Sequence, residues 1–176
     1  MKPQKPILRP LSTSRVGLKM IILLVGIVRI IFLVKMACYL VGKKLTSLVG
    51  QVPDGTETLC CNNNQLTSLE GCPNSVTKLV CYGNQLTSLK GCPDHLIQLY
   101  CGGNRLTSLE GCPNSITMLC CASNQLTSLQ GCPNSVTSLR CVGNQLTSLE
   151  GCPASVTTLI CYGNQLTSLQ GCPNSV

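Results

Sequence analysis

Residues 76–95, VTKLVCYGNQLTSLKGCPDH, are one copy of a 20-residue unit that occurs six times without a gap from Thr56 to Ser175. Apolar side chains occupy its first, fourth, sixth, eleventh, fourteenth and seventeenth places, with asparagine at the ninth place and proline at the eighteenth. The fourth place is always leucine and the sixth is always cysteine. This strict period indicates a repeat protein, because a lone 20-residue unit cannot bury its apolar side but stacked copies can.

The spacing within one unit predicts which side chains point inward. If a short strand begins near the third place, the fourth and sixth residues lie on one side of it and the third and fifth on the other. Strands of neighbouring units would then pair in parallel, about 4.8 Å apart. The ninth-place asparagine is expected to be buried where the chain leaves the strand, with its amide bonding backbone groups of adjacent turns in a ladder.

The second half of the unit, places eleven to twenty, is called the return segment below. Glycine at its sixteenth place and proline at its eighteenth exclude an α-helix there. We therefore expect extended, polyproline-like or 3₁₀ backbone on this side.

These motifs resemble the leucine-rich repeat, L-x-x-L-x-L-x-x-N-x-L. The L-x-G-C-P segment at residues 69–73, present in every later unit, is similar to the L-P-x-L-P segment of the short repeats of secreted bacterial effectors. The N-Q-L-T-S-L-x-G-C-P arrays are also similar to repeats from large DNA viruses. The resemblance covers about 45–176 and implies a repeat solenoid with short parallel β-strands on a concave face and an extended or 3₁₀ convex side. Some effectors of that class carry a ubiquitin-ligase domain, and no segment of this chain matches one.

Twelve of the fifteen cysteines follow the same register, at alternating spacings of nine and eleven residues along the regular units. They fall at the sixth and seventeenth places, where the repeat needs buried apolar side chains, and free cysteine packs as a small hydrophobe. Buried thiols are therefore favoured over disulfides or metal ligands, although the count alone would suggest a disulfide scaffold. There is no C-x-x-C pair and only one histidine, His95, so the spacing of a zinc site is absent.

Charge and hydropathy divide the chain into three parts. Residues 1–44 carry nine Lys/Arg and no Asp/Glu, whereas residues 45–176 carry four Lys/Arg and six Asp/Glu. The repeats therefore lack the clustered basic side chains that nucleic acid would require as a partner. We predict a basic flexible arm at 1–19, a hydrophobic α-helix at 20–42 and a solenoid at 43–176. The solenoid begins with a degenerate first unit at 43–55, and six regular units follow from residue 56.

Three interpretations of residues 20–42, MIILLVGIVRIIFLVKMACYLVG, stay open. The run is long enough to span a bilayer, as a single-pass anchor interrupted by Arg29 and Lys35. It could instead be a cleaved signal peptide, or a soluble helix that caps the open end of the solenoid. A related alternative is that Met36 is the true start, because MACYLVGKKLTSL already resembles CYGNQLTSL. The predicted location is accordingly membrane-associated or cytoplasmic.

A binding surface is predicted from the places that vary between units. The third, fifth and seventh places change freely while the others hardly change, and they would face the concave side as a mildly apolar strip. Such a strip suits a protein or peptide ligand. The residues favoured as contacts are Lys78, Val80, Tyr82, Gln98, Tyr100, Met118, Arg140, Ile160 and Tyr162. The alternative is that these places drift because nothing constrains them.

Catalysis has no support in the sequence. His95 follows Pro93 in a turn with no nucleophile, base and orienting group implied around it. Glu70, Glu110 and Glu150 recur at the fifteenth place of every second unit rather than converging on a calcium ion. We therefore expect an interaction module that is not an enzyme and needs no cofactor or metal.

Two further alternatives are the substrate-recognition part of an effector or ubiquitin-ligase-type protein, and a recently duplicated array with no specific partner. The array reaches Val176 without a polar capping unit, so self-association through the last repeat is a further expectation.

Overall fold

A computed structural model describes residues 36–176, which form one row of short parallel β-strands. The strands are β1 (Met36–Tyr39), β2 (Thr56–Cys60), β3 (Lys78–Val80), β4 (Gln98–Tyr100), β5 (Met118–Cys120), β6 (Ser138–Arg140) and β7 (Thr158–Ile160). Each strand pairs in parallel with the next one along the chain, so their order in the sheet is their order in the sequence. The described residues contain no helix. The predicted leucine-rich-repeat solenoid is therefore confirmed for this part of the chain.

The register of the sheet puts equivalent places of successive units side by side. Leu79 of β3 pairs with Leu59 of β2 on one side and with Leu99 of β4 on the other. Because the offset is the repeat length, each apolar place becomes a continuous column of the core. The buried columns are the first, fourth, sixth, eleventh and fourteenth places, and the seventeenth-place cysteines pack against them, most of them half-buried. The inward positions predicted from the sequence are confirmed.

The ninth-place asparagines form the predicted ladder. Asn104 is typical: its Nδ2 donates to the carbonyl oxygen of Cys101 in its own unit at 2.9 Å and to that of Cys81 in the preceding unit at 3.1 Å. Its Oδ1 accepts from the backbone N–H of Leu86 at 2.9 Å. One amide thus replaces the hydrogen bonds that the backbone loses where the strand ends, and it ties two units together.

The return segment is built from isolated turns rather than from the 3₁₀ backbone considered above. In the loop that precedes β5, the Cys112 N–H donates to the Leu109 carbonyl at 3.1 Å, and the Ile116 N–H donates to the Pro113 carbonyl at 3.3 Å. Neither turn continues into a helix, because the next residues lack further bonds of that spacing. A serine ladder joins successive turns, as where the Ser115 hydroxyl donates to the Leu96 carbonyl at 2.7 Å.

The first unit begins before the predicted boundary at residue 43. Residues 1–35, which include the predicted arm and most of the predicted helix, lie outside the described residues. Residues 36–42, the last part of the predicted helix, form β1 and a turn instead. The Leu40 N–H donates to the Cys60 carbonyl at 2.7 Å, and the Leu40 carbonyl accepts from Asn64 Nδ2 at 2.7 Å. These backbone groups satisfy the edge of β2, which explains why this segment is a strand.

Within residues 36–176, no helix is long and apolar enough to cross a membrane.

Candidate protein-binding surface

The outer sheet face is defined here as the side chains at the third, fifth and seventh places of the seven units. Each regular strand from β2 to β5 alternates a buried fourth-place leucine with half-buried neighbours at the third and fifth places. The alternation follows from the pleat of a strand, because successive side chains point to opposite sides. All nine residues that the sequence favours as contacts lie on this face.

Lys78, Tyr100 and Met118 form one cluster on β3, β4 and β5. The Lys78 Nζ lies 5.6 Å from the centre of the Tyr100 ring, within the range of a cation–π contact. The Tyr100 hydroxyl donates to Met118 Sδ at 3.0 Å. Three side chains from three successive units are therefore held in one arrangement before any ligand binds.

Arg140 and Tyr162 form a second cluster near the last strand. The Arg140 guanidinium carbon lies 6.0 Å from the Tyr162 ring centre, and Arg140 Nη2 donates to the Tyr162 hydroxyl at 3.3 Å. A guanidinium has five N–H donors, so this contact orients the group and leaves donors for a ligand. Ile160 of β7 pairs directly with Arg140 in the register of the sheet.

The remaining predicted contacts complete these clusters. Val80 pairs with Tyr100, and Gln98 pairs with both Lys78 and Met118. Tyr82 is 44% exposed and Tyr162 is 65% exposed, at the seventh place of their units. Between these two rings the seventh place carries only small or medium side chains: Gly102, Ala122 and Val142. The seventh-place column therefore has smaller side chains between its two exposed tyrosines.

Sequence reasoning missed Tyr39 and Val41, which extend the fifth and seventh columns of the face onto the first unit. Tyr39 is 68% exposed and pairs with Cys60 of β2. Both residues were assigned to the predicted helix at 20–42. The signal that could have found them is the likeness of MACYLVGKKLTSL to CYGNQLTSL, which places Tyr39 beside the later fifth-place residues.

The fifteen cysteines are all free, and the sixth-place column lies in the core. Burial raises the pKa of the Cys61 and Cys141 thiols to about 12, since the thiolate cannot be solvated there. The same cause holds the pKa of the Cys101 thiol well above its ordinary value. Thiols that keep their protons are poor nucleophiles and poor metal ligands. The sixth-place cysteines are therefore packing residues.

Among the described residues, no group of three or more His, Cys, Asp or Glu side chains could hold a metal ion. His95 is exposed in the turn after Pro93, at the place where most other units have the ladder serine.

Comparison with known proteins gives results for the structure only. No family model matches the sequence, and no curated protein matches it either. Among solved structures, the leucine-rich-repeat domain of a Shigella effector is similar, with a TM-score of 0.66 and 28% identity, covering 76% of this chain and 60% of that one. The leucine-rich effector protein YopM from Yersinia pestis is similar with a TM-score of 0.57 and 24% identity, covering 76% and 44% respectively.

The fold and the match together define the class of protein: a short-period leucine-rich-repeat solenoid like those of bacterial effectors. This fold is consistent with protein binding. The chain spans less than two thirds of the length of each of these two proteins.

Proposed function

We propose that residues 36–176 are a non-catalytic module that binds a protein or peptide on the outer sheet face. The observation that carries this proposal is the contrast between the two sides of the same strands. Inward places hold the same residue types in almost every unit, whereas the outer sheet face holds a different combination in each unit. Packing of the core explains why the inward residue types are constant. It does not explain why the residues of the outer sheet face differ from unit to unit.

The exposed aromatic rings on that face support the same proposal. Tyr39, Tyr82 and Tyr162 are each between 44% and 68% exposed, so packing of the core does not require an aromatic ring at these positions. Tyrosine and arginine are the side chains that most often dominate binding energy at protein interfaces. The clusters of Tyr100 and Arg140 are ordered in advance by contacts between units, which lowers the entropic cost of binding.

The test is capture of partners from lysate of the native source by the full chain. One variant replaces Tyr82, Tyr100 and Tyr162 with alanine. The matched control replaces Thr67, Thr87 and Thr107, three exposed threonines of the return segment, with alanine. The proposal expects the tyrosine variant to lose captured proteins that the threonine variant retains. Equal partner sets for both variants would contradict it and would favour an array with no specific partner.

A second candidate is the substrate-recognition part of an effector, favoured by the similarity to the Shigella effector domain. Its test is whether a protein captured through the outer sheet face is ubiquitylated in the native source, and whether that modification disappears when the full chain is deleted. Unchanged ubiquitylation of every captured protein would remove this candidate.

Membrane attachment through residues 20–42 stays a proposal, and carbonate extraction of cells that contain the full chain tests it. Recovery of the chain with the membrane pellet supports an anchor, and complete release into the supernatant contradicts one. Self-association through the last repeat is tested separately, by the sedimentation of the purified chain over a range of concentrations.

A further inference from the structure

Charged side chains in residues 36–176 are divided between two sides of the solenoid. The six Lys/Arg and six Asp/Glu balance in number, so this part of the chain carries no net charge. Five of the six cations lie on the outer sheet face or on the turn that leaves it: Lys43, Lys44, Lys78, Arg105 and Arg140. Five of the six carboxylates lie on the return side: Asp54, Glu70, Asp94, Glu110 and Glu150. The two exceptions are Glu57 on β2 and Lys90 on the return segment.

Of these five cations, Lys78 and Arg140 are on the outer sheet face itself, and the other three are on the turn that follows it. The third, fifth and seventh places of the described units contain no carboxylate. An anionic ligand is therefore attracted to the outer sheet face and repelled by the return side, which directs both its approach and its final position.

The positions of Lys78 and Arg140 set the spacing of the groups they can bind. Lys78 is on β3 and Arg140 is on β6, three strands apart, and Arg140 lies two places further along its strand. With strands about 4.8 Å apart and a rise of about 3.3 Å per residue, the two Cα atoms are roughly 16 Å apart. That exceeds the screening length of about 8 Å at physiological salt, so the two cations act on separate ligand groups. An extended peptide covers the same span in about five residues.

The surface between the two cations fits an apolar side chain. Two strands, β4 and β5, lie between Lys78 and Arg140, and their third and fifth places hold Gln98, Tyr100, Met118 and Cys120, three of which are largely apolar. A cation–π contact holds each cation beside a tyrosine ring, Tyr100 for Lys78 and Tyr162 for Arg140. The face thus presents a positive group, a mostly apolar surface that includes Tyr100 and Met118, and a second positive group, in that order across the strands.

We propose, on the basis of the function proposed above, that the ligand of the outer sheet face is an extended acidic segment of a protein. It crosses the strands with two carboxylates about five residues apart, one at Lys78 and the other at Arg140. An apolar side chain of the ligand lies between them, over Tyr100 and Met118. Charge complementarity selects this occupant over a basic segment. Nucleic acid is disfavoured because a phosphate every few ångströms would require more cations than this face carries.

The test measures binding of the full chain to immobilised 12-residue peptides of defined pattern. One panel has two glutamates separated by four residues that include one leucine, and the second panel has lysine in place of both glutamates. We expect the glutamate panel to bind at least about tenfold more tightly, equivalent to about 1.4 kcal/mol. We also expect its binding to weaken as salt rises from about 0.05 M to about 0.3 M.

Charge-reversal variants test whether the ligand binds the outer sheet face or the return side. Arg140→Glu and, separately, Lys78→Glu should each weaken binding of the glutamate panel by about tenfold. Lys90→Glu makes the same change of charge on the return segment and should leave binding within about twofold. An unchanged urea midpoint for each variant verifies that the fold is retained. Equal binding of both panels, equal effects of Arg140→Glu and Lys90→Glu, or tighter binding of a single-stranded RNA of similar length would each overturn the proposal.

Failure of this inference can be told apart from failure of the proposed function. If the tyrosine variant loses a captured partner whose binding segment lacks paired acidic residues, the acidic ligand is wrong and the binding surface stands. If the tyrosine and threonine variants capture the same proteins, both proposals fail together.

Discussion

Replacement of Asn104 by alanine removes one step of the asparagine ladder at the centre of the solenoid. The side chain is 8% exposed and makes three strong backbone contacts, to Cys81, Cys101 and Leu86. The consequences for these three groups differ. The Cys81 and Cys101 carbonyls each keep a second partner, because they also accept from Asn84 Nδ2 at 2.9 Å and from Asn124 Nδ2 at 3.1 Å.

The Leu86 N–H has no such substitute. Its only hydrogen bond runs to Asn104 Oδ1, and Leu86 is fully buried. A buried donor without a partner costs about 1–3 kcal/mol, and the two weakened carbonyls add about 0.5–1.5 kcal/mol each at most. We therefore expect Asn104→Ala to lower the free energy of unfolding by about 2–4 kcal/mol.

The matched control is Asn164→Ala in the last unit. Asn164 makes the same contacts, including Oδ1 to the Leu146 N–H at 3.1 Å, but it is only half-buried, so water can replace the lost amide. Its cost should be below about 1.5 kcal/mol. The assay is urea unfolding of the full chain followed by circular dichroism, with hydrogen exchange at the Leu86 amide as a local probe. Equal costs for both variants, or unchanged exchange at Leu86, would refute the reasoning.

Two other perturbations test the packing between turns and the burial of thiols. Gly151 and Gly55 both have positive φ, but a Cβ on Gly151 would lie 2.7 Å from the Gln130 nitrogen, whereas one on Gly55 meets nothing within 4 Å. Gly55→Ala should therefore cost about 1–2 kcal/mol in urea unfolding and Gly151→Ala distinctly more, and equal costs would show that the turns are not in contact there. Burial raises the pKa of the Cys61 and Cys141 thiols to about 12, whereas the pKa of a cysteine in the unfolded chain is about 8.5. Because the folded-state pKa is the higher one, these thiols stabilise the fold fully below pH ~8.5, and their stabilisation is lost as the pH rises toward 12. The urea midpoint should fall over that range, and the Cys61→Ala, Cys141→Ala double variant should show a shallower fall; a midpoint independent of pH would contradict buried thiols.

The sequence predicted those features that recur in every unit. Leu79 and Cys81 lie in the core because strand alternation and the repeat period require it, and the buried asparagine was identifiable as the residue that turns the chain. Such features repeat many times, so a local preference that is weak in one unit becomes decisive in the array.

The sequence was least informative where the repeat is imperfect. Residues 36–42 continue the apolar run that begins at Met20, and an apolar run fits a helix as well as a buried strand. The strand is favoured because its backbone groups hydrogen-bond those at the edge of β2. That edge exists only in the folded sheet, so the sequence of residues 36–42 does not reveal it. The serine ladder was missed for a similar reason, since Ser115 bonds a carbonyl of the preceding unit and nothing in its own unit indicates that partner.

The outer sheet face could be predicted by position but not by contact. Periodicity alone placed Lys78, Tyr100 and Arg140 on one side of the strands. The contacts of Lys78 with Tyr100 and of Arg140 with Tyr162 depend on side-chain rotamers. The register of the sheet permits these rotamers but does not determine them.

The adjacent cysteines Cys120 and Cys121 allow the most direct test of the central claim, that each strand separates a buried core from an outer face. Cys120 is half-buried on the outer sheet face, whereas Cys121 is fully buried in the core. Brief alkylation of the native full chain with iodoacetamide, followed by fragmentation mass spectrometry, measures both thiols in one peptide. The account predicts that Cys120 is labelled at least about tenfold faster than Cys121, and that both react at similar rates in urea. Similar rates for the two thiols in the native chain would contradict it.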